Sequence, residues 1–418
     1  MRITAVDAWE VLDSRGNPTV RVEVSTGETS GRFTVPAGAS TGTFEALERR
    51  DGDARYRGLG VLGAIDAIRA DLAPVVQGRD PTDQRGIDAA LVDADGTADL
   101  TRLGANAVLG VSGAVAHAAA NARGVPLYEH LAPESPGRLP LPMINILSGG
   151  RHAEGGLEVQ DLLVIPMGAD TYSHGLEMVH AVRMAVKDRI EAADNRPLVA
   201  DEGGYAPPLD SPSAGLELLV DAIDDAGYSP GVEVAIALDL AATQFYDGDR
   251  YHLANHPDLR SDALIDRIES WVRDYPVVSI EDPLAEDDWD GWVALADRGL
   301  GIQLLGDDLI ATTAARLDRA IDGEVANAVL VKPNQTGTLT RAIDVVDRSM
   351  AAGWSPVISA RSGETCDSTI ADLAVALDAG QIKVGSLARS ERLAKYNRLL
   401  EIERHHDAFA GSEVIAPI

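Results

Sequence analysis

One pattern recurs six times between Val234 and Ser386 and restricts the fold to very few architectures. Each time a short apolar run ends in a charged residue, and successive charged residues lie 22 to 42 positions apart. A strand with its crossover helix takes roughly 20 to 40 residues, and unbroken apolar runs are typical of parallel strands buried on both faces. The pattern predicts a β/α barrel, in which active groups lie at the carboxyl ends of the strands. The six charged residues are Asp239, Glu281, Asp307, Lys332, Arg361 and Lys383.

The first three of these residues predict a metal site. Asp239, Glu281 and Asp307 would point into one mouth of the barrel, where unpaired negative charges are too costly to bury together. A hard divalent cation with oxygen ligands resolves that conflict, and Mg²⁺ is the usual choice. A strand-end salt bridge is the commoner explanation of any single such residue, but six in series favour an active site.

The last three residues predict a cationic arc that faces the metal. Repulsion among Lys332, Arg361 and Lys383, together with the metal ion, predicts a lowered pKa for one lysine. A lysine with a lowered pKa is a candidate general base for a proton next to a metal-bound carboxylate.

The charge balance and the cysteine content exclude several classes of protein. The chain has 66 acidic and 36 basic residues and a net charge of −30, which argues against a nucleic-acid partner. An anionic substrate therefore needs a locally positive pocket. The single cysteine, Cys366, excludes an internal disulfide framework. The first residues lack a signal-peptide core and no apolar run approaches about 18 residues, so we expect a cytoplasmic protein with no membrane partner.

The order of periodic segments predicts two domains. Residues 3–35 alternate polar and apolar side chains and predict a small antiparallel meander. A segment with four prolines, 133–142, marks the boundary. Helical periodicity covers 61–76, 82–94, 104–123 and 172–194. The predicted ranges are an N-terminal α+β capping domain over 1–130, a linker over 131–140 and a catalytic barrel over 141–418.

Three polar stretches outside the barrel pattern are candidates for the site. Pro36 to Gly42 consists mainly of small residues and predicts a mobile loop whose hydroxyls could reach an ion, although for this stretch taken alone a flexible linker is the commoner explanation. His152 follows a Gly-Gly pair, where a loop histidine is commoner than a catalytic one. Glu202 precedes Gly203 and Gly204 and is a plausible general acid, although solvated loop acids are commoner.

Ordered motifs run across nearly the whole chain. The motifs are DSRGNPTV (13–20), GASTG (38–42), GGRHA (149–153), DEGG (201–204), SIEDPLAEDDW (279–289), GDDL (306–309), KPNQTGTL (332–339), RSGET (361–365) and SERLAK (390–395). So many motifs in one order are far more specific than any one of them, and together they resemble those of the enolase family.

The resemblance implies a fold and an activity. The fold would be a three-stranded, helix-covered N-terminal domain and a modified β/α barrel whose second strand runs antiparallel. The activity would be Mg²⁺-dependent elimination of water from 2-phosphoglycerate. Two Mg²⁺ ions would serve each active site, and the second would arrive with the substrate.

The resemblance also implies a role for each matching residue. Asp239, Glu281 and Asp307 match the ligands of the tightly bound Mg²⁺. Lys332 matches the base that removes the C2 proton, and Lys383 lies beside the substrate carboxylate. Glu202 matches the acid that assists departure of the C3 hydroxyl, and Asp161 matches a carboxylate that works with it. His152 matches a mobile histidine near the substrate, and Gln160 matches a substrate-binding glutamine. Arg361 and Ser362 match the phosphate clamp, and Ser40 matches the residue that meets the second Mg²⁺.

The chain departs from the family pattern near the clamp. Ala360 stands where the family has histidine. The alanine lacks the hydrogen-bond donor of histidine and leaves more space beside the phosphate. The other departures are Ala37 in place of serine, Phe44 in place of histidine, Ser148 in place of asparagine and Asp161 in place of glutamate.

Three functions fit these departures. The first, which the enlarged space favours slightly, is a dehydratase that resembles carboxyphosphonoenolpyruvate synthase of phosphonate biosynthesis and takes a phosphono-carboxylate substrate. The second is a divergent enolase that acts on 2-phosphoglycerate, with water filling the gap. The third is a binding or scaffold protein with little turnover, against which the complete metal, base and acid set argues.

One pair of residues bears on assembly. Enolases are dimers with a Glu–Arg contact between subunits, and this chain has Arg21 and Glu401 at those positions, so the charges are exchanged. We expect a symmetric homodimer, or a higher oligomer built from it, through the same face. Independent drift of two surface residues is the alternative.

Overall fold

The computed structural model of the protein describes residues 1–38, 43–132, 134–153, 157–253 and 258–415. It shows an N-terminal α+β domain and a closed eight-stranded barrel, so the predicted fold class is confirmed. The last helix of the first domain ends at Leu131, and the first barrel strand begins at Leu141. Within the described ranges, every helix is too short or too polar to cross a bilayer.

The N-terminal domain is built on an antiparallel meander, as the alternating pattern predicted. Its strands are β1 (Ala5–Leu12), β2 (Pro18–Ser25) and β3 (Ser30–Thr34), paired in that order. Every second residue of β2 from Val20 to Val24 is fully buried, because that face of the sheet packs against helices. The helices are α1 (Leu62–Ala67), a π-helical turn (Ile68–Leu72), α2 (Ala73–Val76), α3 (Gln84–Asp95), α4 (Ala105–Arg123) and α5 (Leu127–Leu131).

Helix α4 lies directly on the sheet, and small residues make that approach possible. Its side chains are buried almost all round, which explains the alanine-rich composition. Gly113 of α4 faces the ring of Phe33, and a Cβ atom there would overlap it. Gly31 of β3 lies against the backbone of His117 and Ala118 in the same way. The contact between helix and sheet therefore depends on the absence of side chains on both partners.

The barrel closes through eight strands, of which only the second is reversed. Strand β5 pairs antiparallel with both neighbours, and the other pairs are parallel, as the family resemblance implied. The strands, in chain order, are β4 (Leu141–Ser148), β5 (Asp161–Ile165), β6 (Ala235–Asp239), β7 (Val277–Glu281), β8 (Gln303–Gly306), β9 (Ala328–Val331), β10 (Ser355–Ser359) and β11 (Gln381–Gly385).

The reversal of β5 decides which of its residues reaches the active end. In the parallel strands the carboxyl ends form the mouth, whereas β5 contributes its first residue, Asp161. In the register of the sheet Asp161 lies opposite both Ser148 and Asp239, and Asp239 lies opposite Glu281. Polar groups from four neighbouring strands therefore meet at one level.

Helices surround the barrel, and the N-terminal domain lies over its mouth. The backbone of Ala37 exchanges two hydrogen bonds with Gly363, of 2.8 and 2.9 Å, and Arg15 pairs with Asp201 at 2.5 Å. The helices are α6 (Tyr172–Ala192), α7 (Pro212–Asp225), α8 (Ser261–Asp274), α9 (Trp289–Ala296), α10 (Ala314–Asp322), α11 (Pro333–Thr336), α12 (Leu339–Ala351), α13 (Thr369–Ala376) and α14 (Ser390–Glu403).

The close packing of β3 on α4 predicts a stability defect. Gly31→Ala would place a Cβ atom against the backbone of Ala118, which cannot move aside as a flexible side chain would. We expect the free energy of unfolding to fall by about 1–3 kcal/mol in urea titrations. Ser30→Ala, at the half-buried neighbouring position, is the control and should leave it nearly unchanged. An equally stable Gly31→Ala protein would contradict this account of the packing.

Candidate active site at the barrel mouth

The structure brings all six predicted strand-end residues to one cavity. Asp239 and Glu281 end β6 and β7, Asp307 follows β8, Lys332 follows β9, and Lys383 lies within β11. The cavity lining also includes the predicted residues His152, Gln160, Glu202, Ala360, Arg361 and Ser362. Ser40 lies outside the described residues.

Two lysines occupy the centre of the cavity and pair with the predicted metal ligands. Lys383 Nζ lies 2.7 Å from Asp239 Oδ2 and 2.5 Å from Glu281 Oε2. Lys332 Nζ lies 2.5 Å from Asp307 Oδ2. The three carboxylates are therefore divided between two ammonium groups. Each buried negative charge has a cationic partner, which is the condition for burying it at acceptable cost.

The chemistry of this donor set fits a hard divalent cation. The ligands are carboxylate oxygens, which Mg²⁺ prefers, and each already holds a positively charged nitrogen in place of an ion. An ion at this place would compete with the two lysines for the carboxylate oxygens.

Two further aspartates support Asp307, and the prediction did not include them. Oxygens of Asp282, Asp307 and Asp308 lie within 4.8 Å of one another. The Asp282 carboxylate accepts hydrogen bonds from the backbone N–H groups of Asp307 at 2.9 Å and Asp308 at 2.7 Å. Asp282 thus fixes the turn that presents Asp307. Its position after Glu281 in the SIEDP motif was the available signal.

The predicted lowering of a lysine pKa is wrong for this arrangement. Burial by itself lowers the pKa of Lys332, but the charge of Asp307 more than offsets it, and the pKa is raised above 10.5. Burial also lowers the pKa of Lys383, but the charges of Asp239 and Glu281 outweigh burial and raise that pKa well above 10.5. The sequence argument counted the neighbouring cations and a metal ion, whereas the nearest groups to each lysine in this structure are carboxylates.

A second cluster lies on another side of the cavity and joins His152, Asp161 and Glu202. His152 Nδ1 is 2.9 Å from Asp161 Oδ2, and its Nε2 is 3.9 Å from Glu202 Oε1. Asp161 is fully buried, and its other oxygen accepts hydrogen bonds from Asn145 Nδ2 at 2.5 Å and Ser148 Oγ at 2.9 Å. Asn145 was missed, although a polar residue within the apolar run of β4 was a signal. Ser148, noted as a departure, is a direct partner of Asp161.

The pKa values in this cluster place its proton on the histidine. Burial alone would lower the pKa of His152, but the charges of Asp161 and Glu202 raise it to about 9. Burial by itself raises the pKa of Glu202. The charges of Arg392 and His152 outweigh burial, so the pKa of Glu202 is lowered. Near neutral pH Glu202, the predicted acid, is therefore a carboxylate, and the imidazolium of His152 holds the proton.

The predicted phosphate clamp is held by a residue from the N-terminal domain. The Arg361 guanidinium is almost fully buried and lies 2.9 Å from Glu45 Oε2 and 2.9 Å from Asn334 Oδ1. Glu45 was missed because no sequence spacing relates it to Arg361. Ala360 lies beside the clamp, and its N–H donates to the carbonyl of Lys383 at 2.9 Å.

Two more predicted positions have clear surroundings. Gln160 Nε2 donates to Asp239 Oδ2 at 3.1 Å, and its Oε1 accepts from Gln244 Nε2 at 2.7 Å. Gln160 therefore lies next to a predicted metal ligand. Phe44, at the end of the predicted mobile loop, lies against the guanidinium of Arg316, 3.8 Å from the ring centroid. That contact gives the phenylalanine at this position a structural role.

Comparisons with known proteins cover both domains. The family model for the enolase N-terminal domain matches residues 3–131. The family model for the enolase C-terminal TIM barrel domain matches residues 137–417. A relative named Enolase from Acidothermus cellulolyticus (strain ATCC 43068 / DSM 8971 / 11B) is 50% identical over 411 residues, which span 97% of this chain and 95% of that protein.

The raised pKa of His152 predicts a pH-dependent contribution to stability. Its pKa is about 9 in the folded protein and about 6.5 in an unfolded chain. The stabilisation is therefore fully present below pH about 6.5 and is lost as the pH rises through about 9; it amounts to about 3 kcal/mol. Urea titrations should show wild type losing its advantage over His152→Gln across that range. A histidine NMR titration that places the His152 midpoint near 6.5 would contradict the predicted shift.

Proposed function

The chain belongs to the enolase family, and we propose that it converts 2-phosphoglycerate to phosphoenolpyruvate as a Mg²⁺-dependent hydro-lyase. The observation that carries this proposal is the composition of one cavity. A lysine beside buried carboxylates, an imidazolium–carboxylate cluster and an arginine clamp all line it. These are the groups that a water elimination from a phosphorylated acid needs.

We propose metal binding at the three carboxylates that pair with the two lysines. Asp239, Glu281 and Asp307 would hold Mg²⁺, which when bound supplies positive charge to the substrate carboxylate as the enolate develops. Lys383, whose charge lies next to Asp239 and Glu281, adds to that stabilisation. We assign Ser40 to a second Mg²⁺ that arrives with the substrate.

Lys332 is the proposed base. It must be neutral to take the C2 proton of the substrate, and Asp307 is the neighbour that raises its pKa. An Asp307 that held a metal ion would stabilise the positive charge of this ammonium group less strongly. The pKa of Lys332 would then fall toward the lower value that burial and the nearby Arg361 favour.

The cluster of His152, Asp161 and Glu202 is the proposed acid side. As Lys332 takes the C2 proton, the C2–C3 double bond forms and the C3–O bond breaks. The departing oxygen leaves as water with a proton from this cluster. Glu202 donates the proton to the departing oxygen. The positively charged His152, 3.9 Å away, supplies that proton to Glu202. Asp161, held by Asn145 and Ser148, orients the imidazole.

The substrate's two anionic ends have matching partners. Arg361 and Ser362 are the proposed phosphate clamp, and Gln160 is the proposed substrate-binding amide. The Arg361 guanidinium now faces Glu45, so a phosphate group would compete with that carboxylate for it. The cavity lining holds seven carboxyl groups against the cationic groups of Lys332, Arg361, Lys383 and His152, so bound Mg²⁺ would supply the further positive charge that an anionic substrate requires.

A second candidate substrate is the carboxyphosphono analogue of 2-phosphoglycerate. Ala360 favours it, because a methyl group beside the clamp leaves room for a larger phosphorus substituent. From the sequence alone, this reaction was favoured slightly over the conversion of 2-phosphoglycerate. The comparisons give the phosphonate branch no support, and 50% identity to a protein named Enolase along nearly its whole length reverses that order.

Turnover of the two substrates tests the proposal. We expect the Mg²⁺-loaded protein to form an enol product from 2-phosphoglycerate and much less from its carboxyphosphono analogue, as followed by ultraviolet absorbance. Lys332→Ala should reduce turnover of 2-phosphoglycerate by at least about 10²-fold, because the base is lost. Turnover that favours the analogue would select the second candidate. Wild-type turnover in Lys332→Ala would remove the lysine from the mechanism.

We further propose a homodimer through the face that carries Arg21 and Glu401. Arg21 lies on β2, where its Nε donates to Thr34 Oγ1 at 2.7 Å. Glu401 lies on α14, its side chain is 65% exposed, and it pairs with Arg398 at 2.8 Å. Arg21 is half-buried and Glu401 is exposed, so a symmetric contact could bring these opposite charges together.

Charge reversal tests this assembly. Arg21→Glu alone should weaken association, because it places two negative charges opposite each other. Adding Glu401→Arg to Arg21→Glu should restore it. Sedimentation velocity over a range of protein concentrations measures both effects. A monomeric wild type would refute the dimer, and a double variant no stronger than the single one would refute the pair.

A further inference from the structure

Arg392 is a completely buried arginine directly behind the active site. It lies near the start of α14, and its exposed fraction is 0%. Burying a guanidinium costs several kcal/mol unless charged and polar partners surround it. Its partners are therefore informative, because a fold does not bury this group without strong compensation.

The guanidinium holds the backbone of two active-site segments together. One terminal nitrogen donates to the carbonyl of Arg361 at 2.6 Å and to that of Val384 at 3.0 Å. The other donates to the carbonyl of Ser362 at 2.7 Å. Val384 follows Lys383 directly. The backbone of the proposed phosphate clamp and that of the central lysine are thus fixed by one planar group.

The same guanidinium faces the proposed acid. It lies 3.8 Å from Glu202 Oε1, too far for a hydrogen bond but close enough for a strong charge interaction in a buried site. The backbone of Glu202 is tied to the same region, since Ser386 N donates to its carbonyl at 2.9 Å. The other charged or titratable groups that interact with Glu202 are those of His152, Asp161, Lys383, Lys332 and Tyr396.

We propose that Arg392 is a positioning residue for the dehydration, which fixes the Arg361–Ser362 clamp and holds Glu202 as a carboxylate beside it. The inference rests on the proposed function. Arg392 does not line the cavity, so it acts through the groups that do. Burial alone raises the pKa of Glu202, and Arg392 is the largest influence that lowers it. One side chain thereby sets both the shape of the anion site and the ionisation of the acid.

Two substitutions separate these effects. Arg392→Lys keeps the positive charge but loses the planar fork, so we expect KM for 2-phosphoglycerate to rise about 10-fold with an unchanged acid limb of kcat/KM. Arg392→Gln also loses the charge, so KM should rise and the acid limb should move to higher pH, since the pKa of Glu202 rises. Both parameters are measured across the pH range with saturating Mg²⁺.

A neighbouring arginine supplies the matched control. Arg398, on the same helix, pairs with Asp372 at 2.6 Å and Glu401 at 2.8 Å. Arg398→Gln should lower the thermal midpoint while leaving KM and the pH profile unchanged. An inactive wild type would overturn the proposed function, whereas an active wild type with unaffected Arg392 variants would overturn only the role of Arg392.

A folding defect does not remove the test. If Arg392→Gln does not fold, Arg392→Lys decides the matter, with phosphoenolpyruvate binding by calorimetry as a second measurement. Weaker binding of this phosphorylated product supports the positioning of the clamp. Binding and KM equal to wild type would overturn it, as would an Arg392→Gln pH profile identical to that of Arg392→Lys.

Discussion

The pairing of buried carboxylates with buried cations is the constraint on which the mouth of this barrel depends. Asp239 and Glu281 share one ammonium group, and Asp307 holds another. An unpaired charge at this depth costs several kcal/mol, a large part of the stability of a whole domain. Each cation therefore has a structural function as well as the catalytic one proposed for it. If a metal ion replaced an ammonium group as the partner, the net charge of the site would change but each carboxylate would still have a cationic partner.

The reversed strand has a chemical consequence. Because β5 runs against its neighbours, its first residue rather than its last reaches the mouth, and Asp161 lies beside Asp239 in the register. Asp161 is fully buried and sustains the charge of His152. A parallel β5 would bring its other end to this level. The strand direction thus places the carboxylate of Asp161 beside His152 and Glu202, the proposed acid.

The N-terminal domain completes the site rather than merely covering it. Glu45 comes from that domain and pairs with Arg361, while Ala37 exchanges backbone hydrogen bonds with Gly363 two residues later. Arg15 pairs with Asp201, next to Glu202. Both the proposed clamp and the residue before the proposed acid therefore have partners outside the barrel. Movement between the domains would change the surroundings of both at once.

The sequence by itself determined the barrel, the meander and the identity of most cavity residues. Apolar runs that end in charged residues show which side chains reach the mouth, because strand ends converge there in any such barrel. Only the tertiary structure decided that Lys332 faces Asp307, that Glu45 holds Arg361 and that Arg392 lies behind Glu202. Charge interactions depend on distance and burial, which sequence spacing does not encode. For that reason most residues of the cavity were predictable, six from the strand pattern and several others from the family resemblance, whereas their protonation was not.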